Sequence, residues 1–409
     1  MSTIKVNSIK NTSTDDGGIA IDNSGHVQID GQQLPTAGAL SNRNLVANGA
    51  FQVDQRNSGS SITIDSGGTT SGFAADRAKF FVLGTGELDL TLQQVTDAPA
   101  GFRNSVKATV ATAESSGATP ASNDRASMQI RLEGNAVESL ALGTSDAKNF
   151  IVSFYVKSSL TGNFGLAFIG TDRSYPVLYN IASADTWERK VIKVPGPTDG
   201  TWGTGSSLGL ALKFGFYTGS DRDGPDQGTA GTGTWQTNAT PQGVENQVQI
   251  GGTASATWQI TGVQLEVGEK ATPFEHRSFG DELARCQRYF CKSSTYSVFP
   301  TAGANHDTAG MFFASIVNSY TSNAAYSQVF TFPVPMRTTP GTIVTYGTQL
   351  GSTTTTGQVS IYDSSGGAWR SGTTTIHTST DKGFNLSVSG TWGAGSNLFF
   401  GAFTASSEL

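Results

Sequence analysis

"LGLALKFGF", residues 208–216, is the stretch that decides the fold class. Leu208, Leu210, Leu212, Phe214 and Phe216 alternate with Gly209, Ala211, Lys213 and Gly215, so the large apolar side chains fall on one face of an extended strand. Alternation kept over this length predicts one face buried against a second sheet, as in a β-sandwich. A parallel sheet covered on both sides would read as an unbroken apolar run. Working outward, "FIVSFYVKSS" (150–159) and "TWERKVIKVPG" (186–196) are strand-like, the second closed by Pro195-Gly196. "TGSDRDGPDQGTAGTG" (218–233) is too polar for a core and reads as a loop. In "ATWQITGVQLEV" (256–267) the alternation runs through Trp258 and Ile260, then changes phase to Val263, Leu265 and Val267. One extra residue in a strand shifts the phase in this way, so a β-bulge is predicted at Thr261-Gly262.

Composition agrees with this reading. The chain has 409 residues, 50 of them glycine, and only 14 % are charged. Val, Ile, Thr, Phe and Tyr recur in short bursts broken by Gly, Asn, Asp and Ser, which is the pattern of an all-β protein of more than one domain. The formal net charge is −6, and no window gathers Lys and Arg into a stripe that would neutralise phosphates, which argues against a nucleic-acid partner. No segment approaches the roughly 20 apolar residues of a membrane span, so no membrane insertion is expected. "MSTIKVNSIKNTSTDDGG" at the start lacks the apolar core of a signal peptide. Cys286 and Cys291 are too few for a disulfide framework and His26, His276, His306 and His377 are scattered, so free buried thiols and no metal or cofactor are expected.

The first 42 residues are short β phrases. Ile19 and Ile21 alternate with Ala20 and Asp22, the turn Asn23-Ser24-Gly25 follows, and Val27 and Ile29 alternate again. An isolated hairpin is marginal in water, so this segment calls for other copies of itself or a docking surface. After Pro273 the period changes from 2 to about 3.6: Phe279, Leu283, Cys286 and Phe290 make one stripe of a helix. Ser278 and Asp281 resemble a capping box, with Asp281 and Glu282 in the first turn and Arg285 and Arg288 in the second half. The stripe needs a partner, which three copies about an axis or a neighbouring β-domain would supply. Beyond it the β pattern returns, and Pro333, Pro335 and Pro340 place their stretch at an edge or a crossing between strands. The expected layout is therefore an N-terminal β attachment segment (1–42), a jelly-roll-like β-sandwich of carbohydrate-binding-module type (43–277), a linking helix (278–292) and a C-terminal β-sandwich domain (293–409).

Four stretches together resemble bacteriophage tail-fibre proteins, particularly those of podovirus- and cyanophage-like viruses. They are the "IKVNSIKN…GGIAIDNSGHVQIDG" lead, "NLVANGAFQVDQRN" (44–57), the junction "ITGVQLEVGEKATPFEHRSFGDELARCQRYF" (260–290), and "FPVPMRTTP" with the ending "FTASSEL". The junction is the most specific, matching through Gly262, Gln264, Leu265, Glu266, Gly268, Pro273, Phe274, Glu275, Arg277, Glu282, Leu283, Cys286, Gln287, Arg288 and Tyr289. Ala50 stands where the family has an acid, and Ala78 where it has a tryptophan. The resemblance implies a virion component, commonly trimeric, whose N-terminal part attaches to other tail or adaptor proteins and whose distal part meets the host surface. It implies a tail-fibre location after assembly in the host cytoplasm, with a capsid-decorating fibre or a tail adaptor as the alternative.

No catalytic constellation is expected. Glu275-His276 is the tempting pair, but neighbouring strand residues point to opposite faces. Asp221, Asp223 and Asp226 would suit calcium by chemistry but lack the remote bidentate carboxylate of an EF-hand loop, which favours a solvated turn. A tailspike-like depolymerase would show a long β-helix or an acidic cleft, and neither pattern is present. Glycan contact is expected from Trp202 ("DGTWGTG"), Trp235 ("GTGTWQT") and Trp369 ("GGAWRSG"), each in a Gly-rich setting, whereas Trp187, Trp258 and Trp392 read as core. The stripe Phe279, Leu283, Cys286 and Phe290 is the expected oligomer seam.

Overall fold

The computed structural model describes residues 41–68, 70–84, 86–302, 312–318, 324–326, 329–347, 356–363, 366–391 and 396–409, with four short strands before them. Those are β1 (Ser8–Lys10), β2 (Gly18–Ile21), β3 (Val27–Ile29) and β4 (Gln32–Gln33), which form one antiparallel sheet in chain order. Ile19 pairs with Ile29 and Ile21 with Val27, the hairpin that the alternation predicts. Its turn, Asn23-Ser24-Gly25, lies outside the described residues, as does Trp392.

Twelve strands and a one-turn helix build the first domain. They are β5 (Ile62–Asp65), β6 (Ser71–Ala75), β7 (Ala78–Leu83), β8 (Asp89–Val95), β9 (Ser105–Thr112), β10 (Arg125–Glu133), helix α1 (Gly134–Val137), β11 (Phe150–Ser158), β12 (Gly162–Ile169), β13 (Ser174–Ile181), β14 (Glu188–Val194), β15 (Leu208–Thr218) and β16 (Thr257–Val267). Two six-stranded antiparallel sheets, in the orders β13-β12-β15-β10-β7-β6 and β14-β11-β16-β9-β8-β5, face each other. The protein is all-β with a jelly-roll-like sandwich. Phe154, Phe214, Phe216, Trp258 and Tyr179 interlock at the centre, with Phe214 and Phe216 at 5.5 and 4.9 Å from Trp258. Trp258 is fully buried and gives its indole N–H to Tyr179 Oη at 3.2 Å.

Strand β15 departs from the expectation in two ways. Leu210, Leu212, Phe214 and Phe216 enter the sandwich core, but Leu208 packs with Ala167, Ile169 and Ala211 on the opposite side. The register slips between Leu132 and Glu133, which face Leu210 and Leu208, and Gly209 is the extra residue. The second face of β15 is also buried, because residues 219–249 fold back over it; Gly224 lies against Pro176 and Pro241. The polar loop is a lid over glycine and alanine backbone.

The predicted bulge is present in β16. Ser153 pairs with Gln264 and Tyr155 with Thr261, leaving Gly262 and Val263 opposite Phe154 alone. Gly262 has φ +63°, and a Cβ there would sit 2.6 Å from the Phe102 ring. The bulge brings Trp258, Ile260, Val263 and Leu265 into one core.

Helix α2 (Phe279–Gln287) follows, with Ser278 as N-cap accepting from Asp281 N–H at 3.2 Å. The expected helix through residue 292 ends earlier: β17 (Phe290–Lys292) pairs with the last strand, so tertiary pairing claims Phe290. The second domain adds β18 (Phe312–Asn318), β19 (Ala324–Tyr326), β20 (Phe330–Thr331), β21 (Thr342–Tyr346), β22 (Gln358–Asp363), β23 (Ala368–Ser379), β24 (Gly383–Ser389) and β25 (Ser396–Ser406). Strand β25 pairs with β18 and β22 through its first half and with β17 and β21 through its second, so one long strand links two sets of strands. Pro333, Pro335 and Pro340 lie between β20 and β21, outside any ladder.

Buried charge joins the two domains. The Arg56 guanidinium lies between the rings of Phe73 (4.1 Å) and Phe290 (3.8 Å) and reaches Glu408 at 2.8 Å. Arg77 lies 3.5 Å over Tyr289 and also pairs with Glu408. Arg288 holds Glu133 with both nitrogens, at 2.8 and 2.7 Å. Arg337 bonds the carbonyls of Ser206, Ser407 and Glu408. No helix among the described residues is long and apolar enough to cross a membrane.

Candidate functional site

A cavity of about 210 Å³ opens beside Trp202, at one end of the first sandwich. Its walls are α1, the short turn Glu138–Leu140 and the loop Trp202–Gly205. The two segments are tied by Gly134 N–H to Ser207 O and Asn135 N–H to Gly205 O, both 2.9 Å. Gly134 is required by this close approach, since a Cβ would meet Gly203 O at 2.4 Å.

Trp202 is wedged rather than free. A Cβ on Gly143 would meet its ring at 2.6 Å, and one on Gly170 likewise at 2.6 Å. Its indole N–H donates to Asp199 O at 3.0 Å, and Trp235 stands edge-on to it at 5.2 Å. The half-buried ring, Val137 and Leu142 supply the apolar part of the lining, and Asn135, Glu138, Thr144 and Thr204 the polar part. A rigid aromatic wall with an amide, a carboxylate and hydroxyls around it matches a ligand that has apolar C–H faces and hydroxyl edges. The volume is below the roughly 300 Å³ of drug-sized pockets, so one small ring fits.

Trp235 does not line the cavity; it donates to Pro195 O at 2.7 Å and packs on Tyr175 at 5.6 Å, bracing Trp202. Trp369 is elsewhere. It lies in strand β23 opposite Tyr362, in a ring cluster with Tyr362 (5.2 Å) and Phe400 (5.0 Å). The glycines beside it form the hairpin turn, with Gly367 at φ +61°, so the expected loop position is corrected. Trp187 is corrected too: it is half-buried at the surface, with Asp97 on its N–H at 3.3 Å and Lys157 5.2 Å over its ring. Asn135, Glu138, Thr144 and Thr204 carry no motif, because the cavity joins segments that are far apart in sequence.

The expected seam is divided. Phe279 is 43 % exposed and edge-on to Tyr296, Leu283 is half-buried, and Cys286 and Phe290 are buried within the chain between the domains. The Gln55 and Arg56 side chains of the first domain reach Phe290 there, so that half of the stripe is closed within one chain. Burial raises the Cys286 thiol well above its usual range and pushes Cys291 up to about 12. Glu275 accepts from Asn44 N–H at 2.9 Å and from Arg277, while His276 is exposed beside Phe274 and Phe102, so the pair points apart. Asp226 accepts from the N–H groups of Leu178 and Gly228, and among the described residues no three His, Cys, Asp or Glu converge as a metal site.

No protein family matches the chain, and neither does any curated protein. Among solved structures, the enzymatically active domain of tailspike protein 4 of bacteriophage CBA120 is similar at 12 % identity and TM-score 0.27, over 55 % of this chain and 21 % of that one. This chain therefore spans about a fifth of that tailspike. A putative sugar binding protein from Bacteroides thetaiotaomicron matches at 12 % identity and TM-score 0.27, over 55 % of this chain and 99 % of that one. The family 11 carbohydrate-binding module from Clostridium thermocellum, in complex with a β-1,3-1,4-mixed-linked tetrasaccharide, matches at 12 % and 0.24, over 52 % and 98 %. Likenesses of this size carry no argument about function.

Proposed function

We propose that the chain is a non-enzymatic virion fibre protein of a bacteriophage, a homotrimeric tail fibre attached to the particle by residues 1–42 and adhering to a host surface glycan through its first sandwich. The observation that carries the adhesive part is the Trp202 cavity, which the half-buried Trp202 lines together with Asn135, Glu138, Thr144 and Thr204. Attachment is supported by the N-terminal hairpin, whose Ile19 and Ile21 are 43 % and 45 % exposed and await an apolar partner. The residues of the 260–290 junction support the fibre reading through their resemblance to tail fibres. In this reading the fibre is assembled in the host cytoplasm.

The test has two arms. Purified protein should bind susceptible cells, and Trp202→Ala should lower that binding at least about tenfold, the loss of one aromatic contact. Asn135→Ala and Thr204→Ala, at exposed positions, should weaken it severalfold with the fold intact, and Trp369→Ala should leave it unchanged. Equal binding by all four variants would remove the cavity from the reading. Release of reducing ends from host polysaccharide would overturn the non-enzymatic part, and antibody labelling of the capsid rather than the tail would overturn the location.

A further inference from the structure

Lys213 is on the outer face of the sheet β13-β12-β15-β10-β7-β6, between Gln129 of β10 and Ala167 of β12. It is only 8 % exposed, and its ammonium makes no hydrogen bond or ion pair with a described residue. The charges that act on it are Arg131, Arg125 and Arg222, all of its own sign; burial first, and then this repulsion, pulls its pKa down to about 8. Among the described residues, none of these arginines has a carboxylate side chain to itself. Arg131 turns to Gln129 Oε1 (3.1 Å) and the Leu409 oxygen (2.8 Å), Arg222 to Asn123 Oδ1 (2.7 Å), and Arg125 lies 5.8 Å from the Phe81 ring. Glu408, the acid near Arg131, is taken by Arg56 and Arg77.

Further donors stand on the same face. Gly165 and Gly215 pair side by side next to Lys213, and their bare backbones admit Gln247, whose Oε1 would lie 2.0 and 2.7 Å from a Cβ at each. Gln247 Oε1 accepts from Val244 N–H at 2.9 Å. Gln247 Nε2 and Thr218 Oγ1 are buried with no hydrogen-bond partner among the described residues. Side chains of both groups lie beneath Gly243. A protein of net charge −6 thus gathers Lys213, Arg125 and Arg131 on one sheet face, with Arg222 in the loop that follows β15. Buried like charges are costly unless an opposite charge offsets them.

The geometry points to an anion site at the edge of this face, where Lys213, with Arg131, Arg125 and Arg222 around it, holds the acidic group of a saccharide. This rests on the glycan-binding reading and adds that the glycan is acidic, recognised on a sheet face apart from the Trp202 cavity. Carboxylate and phosphate share the chemistry, since a guanidinium fork fits the oxygens of either.

The experiment is calorimetry and thermal melting of the full chain with three probes: oligogalacturonate, inorganic phosphate and maltotriose. Oligogalacturonate should bind and raise the melting temperature, weakening as salt rises, and phosphate should bind more weakly. Lys213→Met should lower oligogalacturonate affinity at least about tenfold, the loss of one charge-assisted contact. The same variant should melt higher than the native protein when no probe is present, because it removes a buried unpaired cation; a purely structural lysine would give the opposite shift. Arg125→Gln and Arg222→Gln, nearer the surface, should weaken binding severalfold. Trp202→Ala should leave oligogalacturonate binding intact, which separates failure of the cavity from failure of this site. No binding of either anion, or unchanged binding by Lys213→Met, would overturn the site. Phosphate as tight as oligogalacturonate would overturn the saccharide.

Discussion

Gly262 and Asp76 show how much a single position carries. At Gly262 the left-handed backbone and the Phe102 ring both exclude a side chain. Gly262→Ala should therefore cost about 1–3 kcal/mol, read as a lower urea midpoint with an unchanged slope. Asp76 is 1 % exposed, and burial pushes its carboxyl from 3.8 to about 7 against the opposing pull of Arg56 and Gln55. Between those values the folded chain keeps a proton that the unfolded chain has lost. The contribution of Asp76 to stability is thus present at the acid end of the window and lost as pH rises through about 7. Asp76→Asn should flatten the fall in urea midpoint between pH 4 and pH 7, and an unchanged slope would count against this carboxyl. Gly262 was legible in the sequence because a phase change beside a glycine is a local signal. Asp76 was not, since its environment comes from Gln55, Arg56 and a glutamate over three hundred residues away.

Among the elements, α2 and the end of β25 are the informative ones. The Ser278 cap and the acids of the first turn stand where the sequence places them, because capping depends on residues three apart. Ser278→Ala should cost about 1 kcal/mol, measured by chemical denaturation. The far end of the helix departs from the periodicity: Phe290 continues the helical period, but β25 offers it a strand partner, and pairing outweighs propensity. Residues 407–409 after β25 reach back to the first domain, where Glu408 receives Arg56 and Arg77. Arg77 has a side chain only 5 % exposed, so Glu408→Ala leaves a buried cation unpaired. A loss of about 3–5 kcal/mol is expected, together with faster proteolysis between the domains. Unchanged protease resistance would mean that the apolar contacts hold the junction without the charges.

On the scale of the whole molecule, the trimer is the open consequence. Three chains of 42.7 kDa give about 128 kDa, and light scattering on the full chain should return that mass. A stable monomer would leave Ile19, Ile21 and Phe279 exposed with nothing to cover them and would remove the symmetric-fibre reading. Cys286 and Phe290 no longer argue for the trimer, since the chain itself buries them between its two domains.

The sequence by itself determined the all-β class, the core face of β15 from Leu210 to Phe216, the bulge in β16, the N-terminal hairpin and the start of α2. Each depends on a period of 2 or 3.6 or on a backbone conformation set by neighbours a few residues away. Only the tertiary structure decided which loops became walls: the lid of 219–249, the union of α1 with Trp202, the separation of Trp369 from the Trp202–Trp235 pair, and the cations around Lys213. Those depend on which distant segments share a volume and a dielectric, and no local period records that.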